Sequence, residues 1–189
     1  MSGFPEPDEV IEIDLPKVAK HGLYITAFSL VLLLAIHFIL EKAIYFFTDI
    51  ISILLLIVGY VLLIVLHEFF HLLGFRVFAH VPWKRMVVGV NLKLGIAYAT
   101  TDKLMTNKAI RKALLLPFWM TGIIPAIIGL YQGELVLIIL AALLIGGAAG
   151  DFEMYRKLKR LPNDWLIKDD PKLPKLYVFA PERIEKEVK

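Results

Sequence analysis

Apolar positions run along this chain in long unbroken blocks. Four stretches contain no Asp, Glu, Lys or Arg: residues 22–40, 50–66, 113–133 and 135–150. A helix that crosses a bilayer needs about 20 mostly apolar residues, within a range of ~17–25. The first and third stretches meet that length unaided. The second and fourth are shorter and continue helically past an acidic residue, Glu68 and Asp151 respectively. Between the second and third blocks the period changes. Val88, Val90, Leu92, Leu94, Ile96 and Tyr98 alternate with Gly89, Asn91, Lys93, Gly95, Ala97 and Ala99. Period two predicts a strand over 86–100, bent at Gly95. After residue 161, Pro162, Pro171, Pro174 and Pro181 predict irregular chain with one short strand over 176–179. The expected fold class is an all-α polytopic membrane protein. It has four transmembrane helices and a short β-hairpin or re-entrant strand element between spans two and three. Three regions follow: an N-terminal cytoplasmic segment 1–20, a four-span domain 21–160 and a cytoplasmic tail 161–189.

Composition sharpens this. Of 189 residues, 58% are hydrophobic, against roughly 45–50% in soluble domains. A soluble fold this small has too little interior for them. Disorder is excluded by the same apolar content and a net charge of only +3. The absence of cysteine removes disulfides, iron–sulfur clusters and thiolate zinc sites.

The pI near 9.0 raises nucleic acid as a partner, but the basic residues flank the apolar blocks. Lys17 and Lys20 precede the first. Arg76, Lys84, Arg85 and further cations follow the second, and Arg156, Lys157, Lys159 and Arg160 follow the fourth. Basic flanks mark the cytoplasmic side. An even number of spans puts all of them there, so both termini are expected in the cytoplasm. The first block follows an acidic segment (Glu6, Asp8, Glu9, Glu12, Asp14), and no small-x-small cleavage site succeeds it. It reads as a retained span rather than a secretory signal. The expected setting is a cell membrane, with the bilayer and a membrane-protein or peptide substrate as partners and no nucleic acid. Oligomeric state is not legible.

The chemistry lies in His67-Glu68-Phe69-Phe70-His71, an H-E-x-x-H motif on a predicted helix over 52–75. Residues i and i+4 share a helix face, so both imidazoles can reach one metal. Zinc accepts such nitrogens, and the adjacent Glu68 can take a proton from the attacking water. Ionisable groups inside a span point to function, because hydrocarbon penalises them.

A catalytic zinc needs a third protein ligand. In one soluble family that ligand is a His six residues after the second; here Val77 occupies the place. The candidates are His21, His37, His80, Asp102, Asp151 and Glu153. At 1.5 Å per residue, His67 lies ~27 Å along its helix and Asp151 ~24 Å along its own, at one depth near the cytoplasmic face. Glu153 points away from Asp151 on the helix, and His37 belongs to the opposite end of the membrane. His80, beside the basic loop, is the main rival. The run Gly146-Gly147-Ala148-Ala149-Gly150 before Asp151 predicts close helix approach.

These residues resemble intramembrane zinc metalloproteases of the site-two-protease type. More closely, they resemble a family of small four-span membrane zincin peptidases. The likeness rests on the H-E-x-x-H motif, a third span containing Pro117 and Pro125, Gly150-Asp151 at the end of the fourth, and Asp170-Pro171 in the tail. The resemblance implies that His67, His71 and Asp151 bind Zn2+ and that Glu68 is the catalytic base. Site-two proteases usually carry Leu-Asp-Gly at the third ligand, where this chain has Gly150-Asp151-Phe152. They also carry an Asn–Pro element, whereas no Asn lies in the fourth span. This leaves the oxyanion stabiliser unassigned. The expected activity is peptide hydrolysis at or near the cytoplasmic face. The alternatives are a non-catalytic metal-binding or scaffolding protein using the same site, and a haem protein pairing His67 or His71 with His37.

Overall fold

The structure, a computed structural model, describes residues 5–42, 49–93, 95–171 and 173–187. Leu94 of the expected alternation lies outside the described residues.

Helix α1 (Leu15–Glu41) starts at Asp14, whose carboxylate accepts the Lys17 N–H, with Pro16 in the first turn. Helix α2 (Ile50–Ala79) starts at Asp49, which accepts both the N–H and the hydroxyl of Ser52, each at 2.8 Å. It ends at His80 in the left-handed conformation, φ 55°. The third apolar block forms α3 (Asn107–Pro117), a π-helical segment (Phe118–Ile123) and α4 (Ile124–Gln132) in series. The fourth forms α5 (Leu135–Gly147) and α6 (Ala149–Leu158), broken at Ala148. The chain is mostly helical. These four helical stretches are long and apolar enough to cross a membrane.

The expected bent strand is a hairpin. Strand β2 (Met86–Asn91) pairs antiparallel with β3 (Ile96–Thr101), from Met86↔Thr101 to Asn91↔Ile96. Gly95 turns the chain with φ +64°, a conformation that L side chains rarely adopt. Opposite Tyr98, Gly89 has no side chain because the phenol ring covers it: a Cβ there would lie 2.5 Å from the ring.

The structure corrects the all-α expectation. Strands β1 (Glu9–Glu12), β4 (Met105–Thr106), β5 (Leu166–Asp169) and β6 (Lys175–Phe179) form a second, antiparallel sheet in the order β1-β6-β5-β4. Only β6 matches an expected strand. The others are too short for period two to stand out, and a long-range partner creates each of them. Helix α7 (Pro181–Glu187) follows. The β1–β6 pairing brings the first and last strands together.

Among the described residues, two cores hold the molecule. Ile11, Phe75, Met105, Leu158, Ile167 and Val178 are buried between the sheet and the helix ends. There, water is displaced, and each large side chain contributes about 1.5–3 kcal/mol. Leu33, Ala126, Ile138, Ala141 and Ala142 form the other core, between the spans. Lipid is as apolar as leucine, so close packing rather than water release drives association there. A Cβ on Gly146 would lie 2.7 Å from the Gly22 carbonyl and closer still to Thr26 Oγ1, so this glycine is what lets α1 and α5 touch. Most of α2 faces outward, with Leu54, Leu62 and Val65 exposed.

Candidate metal centre

The cytoplasm-predicted half of α2 carries His67, Glu68 and His71, all buried. Asp151 enters from the first turn of α6, directly after the break at Ala148. Its two carboxylate oxygens face the two imidazoles, one at 3.1 Å from His67 Nε2 and the other at 3.3 Å from His71 Nε2. One ligand atom from each of these three residues lies within 4.8 Å of the other two. The imidazole rings stand edge to face, with centroids 5.1 Å apart.

The far side of each ring fixes its tautomer. His71 Nδ1 lies 3.2 Å from the Ala113 carbonyl, which can only accept, so Nδ1 carries the proton. That carbonyl lacks its usual helical donor, because residue 117 is proline and has no N–H. Gly74 makes the approach possible: a Cβ there would sit 2.7 Å from Ala113. His67 Nδ1 lies 3.3 Å from Thr121 Oγ1. The Thr121 hydroxyl donates to the Pro117 carbonyl at 2.8 Å and so accepts from His67. Thr121 belongs to the π-helical segment, a distortion that often marks functional sites.

In each neutral ring, Nε2 is then the atom that faces the Asp151 carboxylate. Such a group could hold a cation. Two neutral nitrogens and one carboxylate suit zinc and leave a fourth position open. Around tetrahedral zinc with bonds near 2.0–2.1 Å, neighbouring ligand atoms lie about 3.3 Å apart. The 3.1 and 3.3 Å separations, each to a different Asp151 oxygen, are close to that spacing. The rings' Nδ1–H partners are the outer contacts that orient metal-bound histidines. The residues present fit the metal.

The other candidates lie elsewhere. His80 is the exposed C-cap of α2. Asp102 pairs with Arg85 at 2.7 Å. Glu153 accepts from Arg156 at 2.8 Å. His21 is exposed, and His37 is buried in α1, outside the group.

The three residues and Glu68 open onto a cavity of about 280 Å³. Five consecutive residues, Ile96 to Thr100, border it. Side chains alternate along a strand, so a strand lines a cavity with every residue only when its edge faces it. The other edge of β3 holds β2, and this one pairs with no strand among the described residues. Sequence reasoning missed one acidic residue on the cavity wall, Asp169 of β5. Burial pushes its carboxyl up to about 7, against the lesser opposing effect of the Thr100 hydroxyl. It also missed Ala113 and Thr121. A proline inside a span, freeing the carbonyl four residues earlier, was the available signal for Ala113. Asp170, of the Asp-Pro tail element, accepts the Tyr177 hydroxyl at 2.7 Å and the Leu173 N–H at 2.9 Å, which closes the β5–β6 turn.

No curated protein and no solved structure matches this chain. Residues 60–166 match the model of a family described as "Putative zincin peptidase".

Proposed function

The chain belongs to this zincin peptidase family, and from that premise we propose that it is an integral membrane zinc metallopeptidase. It would cleave peptide bonds at or near the cytoplasmic membrane face, with both termini on that side. The observation that carries the reading is the convergence of His67, His71, Asp151 and Glu68 on one cavity bordered by an unpaired strand edge.

A zinc ion held by His67, His71 and Asp151 would supply Lewis acidity, polarising the scissile carbonyl and acidifying the attacking water. Glu68 accepts the proton of that water and passes it to the leaving amine. Ala113 and Thr121 hold the two imidazoles in the tautomer that leaves Nε2 available. The chain to be cut must be extended, since a helix hides its amides. The free edge of β3 offers main-chain hydrogen bonds to such a segment and tolerates varied side chains. Phe69 stacks on Trp83, with centroids 6.3 Å apart, which ties the motif helix to the start of the hairpin.

The test is cleavage of labelled peptides by zinc-loaded protein in lipid nanodiscs, wild type against Glu68→Gln. The proposal expects cleavage by the wild type and a loss of about 10²–10⁴-fold in the variant, with zinc retained in both. Zinc binding without cleavage would favour the metal-binding or scaffolding reading instead.

A further inference from the structure

The cavity wall is sorted by charge. The chain has 21 Lys and Arg, yet among the described residues none lines the cavity, while Glu68, Asp151, Asp169 and Asp170 do. The first two belong to the candidate centre, and Asp170 closes the β5–β6 turn. Asp169 belongs to neither arrangement. It stands at the Thr100 end of the β3 edge. Thr100 Oγ1 is buried there, its residue 5% exposed, and has no hydrogen-bond partner of normal geometry. Arg85 and Lys168 stand nearby on the outer surface. Arg85 pairs with the Asp102 carboxylate, and Lys168 donates to the Asp102 carbonyl. The rest of the wall is apolar, including Ile13, Val18, Phe75, Leu114 and Met154. Asp169 also lies beyond the family match, which ends at residue 166.

We propose that the cavity reads a peptide segment in which apolar residues run into a Lys or Arg, with Asp169 as the counter-ion of that basic side chain and the Thr100 hydroxyl hydrogen-bonding the segment laid along β3. The proposal rests on the peptidase reading for the identity of its ligand as a peptide. Apolar residues followed by a basic one are the signature of the cytoplasmic boundary of a membrane span. The substrate class is therefore the cytoplasmic juxtamembrane segment of other membrane proteins. Asp169 is half-buried on a cavity wall that no Lys or Arg lines among the described residues, and an incoming guanidinium or ammonium supplies a counter-charge. Asp169 acts in this scheme as a specificity residue. It takes no part in the bond cleavage.

Binding can be read without turnover. Zinc-loaded Glu68→Gln protein in nanodiscs of zwitterionic lipid is titrated into labelled peptides that share one apolar run followed by Arg, Gln or Glu. Fluorescence anisotropy should show the Arg peptide bound about tenfold more tightly than the Gln peptide, and the Glu peptide bound weakest. Adding Asp169→Asn should erase the difference between Arg and Gln, while Asp169→Glu keeps most of it. Zinc content and elution profile confirm that each variant is folded. Equal binding of the three peptides with Asp169 intact, or no binding of any, overturns the proposal. So does an Arg preference that survives in zinc-retaining Asp169→Asn. Wild-type cleavage of the same peptides separates the two claims. Arg-selective binding without cleavage contradicts the peptidase reading alone. Cleavage indifferent to Arg, Gln or Glu contradicts the recognition by Asp169 alone.

Discussion

His71 is oriented by Ala113: its Nδ1–H points at a carbonyl 3.2 Å away that Pro117 has left without a helical donor. One missing amide in the third span thus sets the tautomer of a histidine on the second. Pro117→Ala supplies an N–H that competes for this carbonyl. Zinc affinity, measured by chelator competition, should fall by about tenfold or more, with helicity unchanged. An unaltered affinity would mean that the Ala113 contact does not orient the ligand.

Thr121 does the same for His67 from the π-helical segment. Thr121→Val keeps the volume and removes the acceptor, so zinc affinity should drop about 10–100-fold. Thr121→Ser should bind zinc nearly as the wild type does. Equal affinities for the Val and Ser variants would remove Thr121 from the account.

Gly74 permits the α2–α3 contact on which the Ala113 arrangement depends. In Gly74→Ala the new methyl meets Ala113 Cα and Cβ at 2.7 Å, backbone that yields little. Overpacking of this kind costs about 1–3 kcal/mol. Unfolding in detergent should register that loss, and zinc affinity should fall with it.

Asp169 gives a pH signature. Its carboxyl titrates near 7 in the folded protein, against an ordinary 3.8. Between those values the folded state holds the proton and the unfolded state does not. Stability from this group is therefore full below about pH 4, lost as pH rises to about 7, and flat above. Asp169→Asn mimics the protonated form. Relative to wild type, its melting temperature should rise steadily from pH 4 to 7 and then level off. A difference independent of pH would show that Asp169 is not held neutral.

Much of this was legible in the sequence because it is local. The four spans follow from charge-free length, and the pairing of His67 with His71 follows from four-residue spacing on one helix. Depth along two helices matched Asp151 to them, although α5 and α6 are not one straight helix. The outer contacts were not legible. His71 meets Ala113 across 42 residues and His67 meets Thr121 across 54, through a π-helical distortion that no apolar pattern announces. The sheet containing β1 and β5 was hidden for the same reason. Four-residue strands exist only by virtue of partners far along the chain, and Asp169 rides on one of them.

The proposed topology rests on the even number of candidate spans and the basic flanks. Reporter fusions after the last residue and within 132–134 should give opposite signals, cytoplasmic and external. Like signals would break the four-span arrangement and the placement of the site at the cytoplasmic face.

The account turns on the metal, and the metal content of the purified protein tests it most directly. Wild-type protein should carry about one zinc per chain, and Asp151→Ala should lose most of it while His80→Ala keeps it. Full zinc in Asp151→Ala, or its loss in His80→Ala, would contradict the assignment of His67, His71 and Asp151 as the ligand set.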